Sequence, residues 1–139
     1  MKSISEKPHI VFLIFGVILI ALQVYFMLFS PDSTLDINVH DTYFVIAFAH
    51  FFNVFGAWYI LCGFGYRMLN LFKIEFTKWM VWTHLTFSLL SILGFVLSWT
   101  ELTPELESFW FLGLIFFALG QIIYFLNILI STIKKTRLG

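Results

Sequence analysis

Four long apolar runs, separated by short polar segments, dominate the pattern of this chain. A transmembrane helix needs about 20 apolar residues, at about 1.5 Å per residue, to cross a hydrocarbon core of about 30 Å. Each of the four runs reaches that length. The pattern therefore predicts an all-α membrane protein with one domain over residues 1–139 and four spans, at residues 10–29, 42–66, 79–99 and 104–133.

Residues at the ends of the runs carry helix start and stop signals. Pro31 follows the first run, and proline cannot continue a helix. Asp41 or Thr42 suits the N-cap of the second run. The fourth run opens with Thr103 and Pro104, a capping residue followed by a proline at the first helical position. These signals support the predicted bounds.

The composition supports a membrane protein and excludes several other classes. Of all residues, 60% are hydrophobic and only 12% are charged. A soluble domain of this length buries about two-thirds of its surface, which would leave too much apolar surface in water. The formal net charge is zero, so nothing indicates a nucleic-acid partner. Cys62 is the only cysteine, which excludes a disulfide within the chain.

The basic residues all fall on one side of the predicted four-span topology. They occupy the two tails and the loop between the second and third spans: Lys2, Lys7, Arg67, Lys73, Lys78, Lys134, Lys135 and Arg137. The other two loops carry aspartate and glutamate but neither lysine nor arginine. Cytoplasmic loops are the ones enriched in lysine and arginine. We therefore expect both termini in the cytoplasm, in a bacterial inner membrane.

Small and polar residues recur at helical spacing in each span and predict the faces that pack inside the protein. The stripes are Gly16 and Gln23; Tyr43, Ala47, His50, Asn53 and Ala57; His84, Ser88, Ser91, Phe95 and Ser98; and Gly113, Gly120 and Asn127. Because helices in a membrane pack through such residues, the stripes predict a compact bundle or an oligomer.

His50 is the leading candidate for chemistry, because polar side chains inside a membrane are costly and often functional. It lies eight residues into the predicted second span, about 12 Å below the outer end of that helix. Asn53 is one turn deeper, and Gly56 and Ala57 leave room for a flat ring. A neutral imidazole there suits an axial ligand of haem iron. The alternative is a core histidine that hydrogen-bonds to Asn53 or to a carbonyl group of a neighbouring helix.

His84 is the second histidine expected inside the membrane. The predicted spans place it about 8 Å from His50 along the membrane normal. Two axial ligands of one iron must approach it from opposite faces at about 2 Å each. The difference in depth argues against such a pairing within one chain, so we assign His84 to helix packing.

The run Asp36–His50, followed by Gly56 and Ala57, resembles the signature of haem-copper oxidase subunit I, such as that of cytochrome c oxidase. In that family a His-Asp-Thr-Tyr motif, here His40–Tyr43, leads into a helix with two histidines. The resemblance implies the fold of the last four helices of that subunit, and a low-spin haem at the second histidine, here His50. The candidate haem-binding residues are His50, Tyr43, Asn53, Gly56 and Ala57.

Departures from the family pattern limit what the resemblance implies. Phe48 occupies the position of the first histidine, which in the family binds the oxygen-reactive haem. The family's copper ligands, and the second axial ligand of its low-spin haem, lie on helices without a counterpart here. We therefore expect haem without copper, and no oxygen reduction by this chain alone. His40 and Asp41 match two ligands of the family's outer magnesium site, whose other ligands are absent.

Three functions remain open from the sequence. The first is electron transfer by a haem that His50 binds at an interface of a homo-oligomer, with a second His50 supplied by another copy. The pseudo-threefold arrangement of the oxidase subunit favours a trimer, with a dimer as the alternative and other respiratory subunits as further partners. The second is a cofactor-free structural or accessory subunit of a respiratory complex. The third, proton or ion conduction, is disfavoured because no carboxylate or lysine lies at mid-membrane.

Overall fold

The computed structural model describes residues 7–99 and 109–138, which are mainly helical. In chain order the elements are α1 (Pro8–Phe29), β1 (Thr34–Val39), β2 (Thr42–Ala47), α2 (Phe48–Leu71), α3 (Lys78–Trp99) and α4 (Phe109–Leu138). Within these two ranges, four helices are long and apolar enough to cross a membrane. The predicted number of candidate spans is thereby confirmed.

The bounds of two spans, the second and the fourth, differ from the prediction by five residues or more. The second helix begins at Phe48 instead of residue 42, because residues 42–47 form strand β2. Neither Asp41 nor Thr42 is therefore its N-cap, and the N–H of Phe48 donates instead to the carbonyl oxygen of Ser33, at 3.1 Å. Helix α4 continues five residues past the predicted end at Ile133. Its predicted start at Thr103 and Pro104 lies outside the described residues.

Strands β1 and β2 form an antiparallel hairpin. Thr34 pairs with Ala47 and Val39 with Thr42, which leaves His40 and Asp41 as a two-residue loop. His40 adopts φ +54°, a left-handed conformation in which histidine is enriched relative to most other residues. The residues of β1 alternate polar and apolar from Thr34 onward, the period-2 pattern of a strand. The hairpin thus replaces the first six residues of the predicted second span.

The described residues divide into two compact units at Leu69. In the N-terminal unit, residues 7–68, α1 and α2 run antiparallel with their backbones close together. A Cβ on Gly16 would lie 2.8 Å from the carbonyl oxygen of Gly56, and a Cβ on Gly63 would lie 2.9 Å from the Leu13 side chain. Larger residues at these glycines would separate the helices. The prediction of a single domain remains a prediction.

Aromatic rings fill the rest of the α1–α2 interface. Phe48 stacks on Phe26 with ring centroids 5.3 Å apart, and Phe52 stacks on Phe26 at the same distance. Towards the other end, Phe12 stacks on Tyr66 at 5.5 Å. Such pairs contribute about 0.5–1.5 kcal/mol each beyond the area they bury. Aromatic side chains are therefore the main packing material of this unit.

The C-terminal unit, from Leu69 onward, packs α3 against α4 in a different way. A Cβ on Gly94 would lie 2.9 Å from the Cα of Gly113, so the two backbones nearly touch. Around this approach the interface contains buried polar side chains: His84, Ser88, Ser91, Gln121, Asn127 and Ser131. The predicted packing stripes of the third and fourth spans are confirmed for all members whose side chains are described, whereas the side chain of Ser98 lies outside the described part. The confirmed members are His84, Ser88, Ser91, Phe95, Gly113, Gly120 and Asn127.

Candidate functional site

Three of the four candidate haem-binding residues of α2 lie on one face of the helix. His50, Asn53 and Ala57 are spaced three and four residues apart and are all exposed. Further along the helix, the same face includes Val54, Leu61, Phe64 and Met68, each at least half exposed. We call these seven residues the exposed face of α2. His50, Asn53 and Ala57 do not pack within their own unit, because the buried face of α2 is aromatic. Of the compact bundle and the oligomer that this stripe predicts, the oligomer stays a prediction.

His50 lies much nearer the start of its helix than predicted. It is the third residue of α2, about 3 Å along the axis from the first residue, instead of about 12 Å. The axial distance from His50 to Arg67 is about 26 Å, close to the thickness of a hydrocarbon core of about 30 Å. If Arg67 lies at one boundary of a membrane, this distance would put His50 just inside the other boundary.

Neither His50 nor Asn53 forms a side-chain hydrogen bond within the described part of the chain. His50 is therefore not the core histidine, bonded to Asn53 or to a helix carbonyl, that the sequence left as an alternative. Its imidazole and the carboxamide of Asn53 face away from their own unit. Both groups are available to a ligand or to another protein chain.

Gly56 does not provide the open space that was predicted beside Asn53. It is buried against α1, where a Cβ would lie 2.8 Å from the side chain of Ile20 and 3.1 Å from the carbonyl oxygen of Gly16. A flat ring cannot occupy that position, because α1 already fills it. Of the two small residues predicted to leave room for a ring, Ala57 is therefore the one that is exposed.

Phe48, at the position of the family's first histidine, is part of the aromatic core. Its side chain is 1% exposed, and its ring stacks on Phe26 and on Phe52. This packing leaves no space for a cofactor at that position. The two positions of the resembled histidine pair therefore face in different directions, Phe48 towards α1 and His50 outward.

The other candidate residues belong to the hairpin. The hydroxyl of Tyr43 donates to Oδ2 of Asp36 at 2.6 Å, and Thr34 Oγ1 donates to Oδ1 of the same carboxylate at 2.9 Å. His40 and Asp41 form the exposed loop. No group of three or more histidine, cysteine, aspartate or glutamate side chains that could hold a metal ion occurs among the described residues.

His84 is fully buried between α3 and α4. Its ring lies 5.0 Å from that of Tyr124, and a Cβ on Gly120 would be 3.6 Å from its Cδ2 atom. Gly120 therefore leaves just enough room for the imidazole. This environment agrees with the packing role that the sequence predicts.

The hairpin and the Asp36 carboxylate were not predicted from the sequence, although the sequence contains a signal for them. The strict alternation of polar and apolar residues in β1 and the β-branched and aromatic run of β2 together predict two paired strands. The His-Asp-Thr-Tyr motif that resembles the oxidase family was instead assigned to the start of a helix. Comparisons with protein-family models, with curated proteins and with solved structures give no match for this chain.

Proposed function

We propose that this chain is an oxidase subunit I-like membrane protein that binds a low-spin haem through His50 at an interface between copies, for electron transfer without oxygen reduction. The observation that carries the proposal is the exposed face of α2. There, two polar side chains, His50 and Asn53, face outward from an apolar helix without a hydrogen-bond partner in the described residues. In an apolar environment this arrangement is costly, and a partner from outside the chain would remove the cost.

The described residues fit an axial ligand but not a complete pocket. The imidazole of His50 forms no hydrogen bond with the described residues of its own unit. Two turns further along the helix, the small side chain of Ala57 leaves space above the helix surface. Because α1 fills the space at Gly56, we expect another chain to supply the remaining wall of the pocket. A six-coordinate haem held there would supply one-electron transfer.

A second copy of the chain would complete the site by symmetry. In a twofold interface the same surface of each copy meets its counterpart, so the two His50 side chains approach the same axis. The exposed face of α2 continues from His50 through Val54, Ala57, Leu61, Phe64 and Met68 at alternating spacings of four and three, which is the spacing of packed helix pairs. Pairing of two imidazoles favours the dimer over the trimer.

The location that we propose is a bacterial inner membrane, with both termini in the cytoplasm. The four apolar helices are compatible with an integral membrane protein. The orientation is supported by the grouping of all lysine and arginine residues in the tails and in the loop between α2 and α3.

An absorption spectrum of the purified full-length protein tests the haem proposal. We expect a Soret band in the wild-type protein that is lost in His50→Ala. The matched control is His40→Asn, which changes an exposed histidine of the hairpin loop but keeps a residue tolerant of the left-handed conformation. A colourless wild-type protein, or a Soret band that survives His50→Ala, would contradict the proposal.

The second candidate function is a cofactor-free structural or accessory subunit of a respiratory complex. The burial of Phe48 favours it, because a packed aromatic ring replaces the ligand at the position of the family's oxygen-reactive haem. The exposed face of α2 would then pack against another subunit. This function predicts a colourless protein that co-purifies with redox subunits, less so after Asn53→Leu. Purification as a haem-containing homo-oligomer would argue against it.

A further inference from the structure

The end of the α1–α2 pair that is opposite His50 carries a group of nitrogen-bearing side chains. Leu13 of α1 packs on Gly63 of α2, and the two helices run antiparallel. One helical turn nearer this end, His9 lies four residues before Leu13 in α1, and Arg67 lies four residues after Gly63 in α2. Lys7 directly precedes α1. The register of the helix pair therefore brings Lys7, His9 and Arg67 to the same end of the unit.

The positive charge at this end is not neutralised by its own helices. Neither α1 nor α2 contains an aspartate or a glutamate. The contact of Leu13 with Gly63 places His9 and Arg67 at the same level of the helix pair, with Lys7 two residues before His9. The side chains of Lys7 and Arg67 are both exposed, and neither forms a hydrogen bond or an ion pair with any described residue. An anion approaching this end thus meets two cationic groups that have no hydrogen-bond or ion-pair partner among the described residues.

Two further features of the same end favour an anion. His9 is only 5% exposed, and its Nδ1 atom has no hydrogen-bond partner among the described residues. Helix α1 begins at Pro8 without a side-chain cap, so the positive end of a 22-residue helix dipole lies beside Lys7. Pro8 has no N–H, and the N–H of Ile10 donates to the carbonyl oxygen of Lys7 at 3.1 Å, so the N–H of His9 is the backbone donor that the described residues leave at this turn for a phosphate or carboxylate.

We propose that Lys7, His9 and Arg67 form a binding site for the phosphate group of an anionic phospholipid. The recognising chemistry is a phosphate anion held by an ammonium, a guanidinium and the first turn of α1. A lipid is the source we infer, because the site lies at the end of two helices that are apolar enough to span a membrane. Basic pockets between membrane helices bind lipid head groups in this way. The proposal is independent of haem binding.

Native mass spectrometry of the full-length protein in detergent tests the site. The protein is titrated with phosphatidylglycerol, with phosphatidylcholine as the zwitterionic comparison and with inorganic phosphate as a competitor. We expect preferential retention of phosphatidylglycerol, which inorganic phosphate does not displace. Arg67→Gln and Lys7→Gln should each weaken this binding about fivefold, the contribution of one basic residue near an anionic surface. Arg137→Gln, an exposed arginine on α4, is the matched control and should bind as the wild type does.

Three results would overturn the proposal. Equal retention of phosphatidylglycerol and phosphatidylcholine would show that the site does not select an anionic lipid. Equal losses in Arg67→Gln and Arg137→Gln would show a general effect of net charge. Displacement of the lipid by inorganic phosphate would assign the site to the free ion. Circular dichroism checks that each variant is folded, and Lys7→Gln, at an exposed position before the helix, keeps the test valid if Arg67→Gln does not fold.

Discussion

His50 and Asn53 of the N-terminal unit have the opposite environment from His84 and Asn127 of the C-terminal unit. In the C-terminal unit His84 and Asn127 are both 0% exposed, and the helices close around them. In the N-terminal unit the corresponding residue types, His50 and Asn53, are exposed on the outside of α2. The same types of amino acid therefore serve internal packing in one unit and are exposed in the other.

The side chains at the α1–α2 and α3–α4 interfaces explain this difference. Between α3 and α4 the backbones nearly touch at Gly94 and Gly113, and small serine side chains leave room for a buried imidazole and carboxamide. Between α1 and α2 the rings of Phe26, Phe48 and Phe52 occupy the interface and leave no room for polar groups. A histidine on α2 is thus directed outward by the aromatic core behind it.

The largest effect that we predict comes from removing an aromatic ring of that core. Phe48→Ala should lower the free energy of unfolding by about 3–5 kcal/mol, the usual cost of truncating a buried phenylalanine. The matched control on the same helix is Phe64→Ala, which changes a side chain that is 54% exposed and should cost the monomer about 0.5 kcal/mol or less. Reversible unfolding in mixed detergent micelles, followed by circular dichroism, measures both.

Equal losses of stability in these two variants would contradict the account of the N-terminal unit. They would mean that Phe64 is as tightly packed as Phe48. The exposed face of α2 would then not be exposed, and the contrast with the C-terminal unit would disappear.

A smaller effect should separate the two asparagines. Asn127 Oδ1 accepts hydrogen bonds from the Thr77 backbone N–H at 3.0 Å and from Ser131 Oγ at 3.3 Å. Asn127→Leu removes both bonds and should cost about 1–2 kcal/mol of stability. Asn53→Leu removes no hydrogen bond within the described chain, so the unfolding free energy of the monomer should stay within about 0.5 kcal/mol.

For the same two variants, we expect the opposite order of effects on self-association. We expect Asn53→Leu to weaken the association of copies, measured by energy transfer between labelled chains in liposomes, and Asn127→Leu to leave it unchanged. A destabilised Asn53→Leu monomer with unchanged association would show that Asn53 is an internal packing residue, as His84 is.

The helical part of the fold was predictable because hydropathy and length alone determine it. The four apolar runs and the small-residue stripes of α3 and α4, including Ser88 and Gly113, follow from the sequence. The hairpin was missed because the run Thr42–Ala47 is apolar enough to extend a span. Polar and apolar residues alternate in Thr34–Val39, with which this run pairs. That pairing indicates a strand more strongly than the hydropathy of the run indicates a helix.

The inner face of α2 could not be predicted from the rule for the other helices. Small and polar residues usually mark the packed face of a membrane helix. Lipid tails are as apolar as a phenylalanine side chain, so the sequence of α2 does not distinguish a ring packed on α1, such as Phe52, from an exposed ring, such as Phe64. The position of Gly56 against α1, rather than beside an open space, depends on the same packing.

The haem content of the purified protein tests the central claim most directly, namely that the exposed face of α2 places His50 at an interface that two copies share. The haem-to-chain ratio is obtained from the pyridine haemochrome spectrum and a quantitative amino-acid analysis. We predict one haem for every two chains, with none retained in His50→Ala. A ratio of one haem per chain, or a ratio that does not depend on His50, would contradict the account.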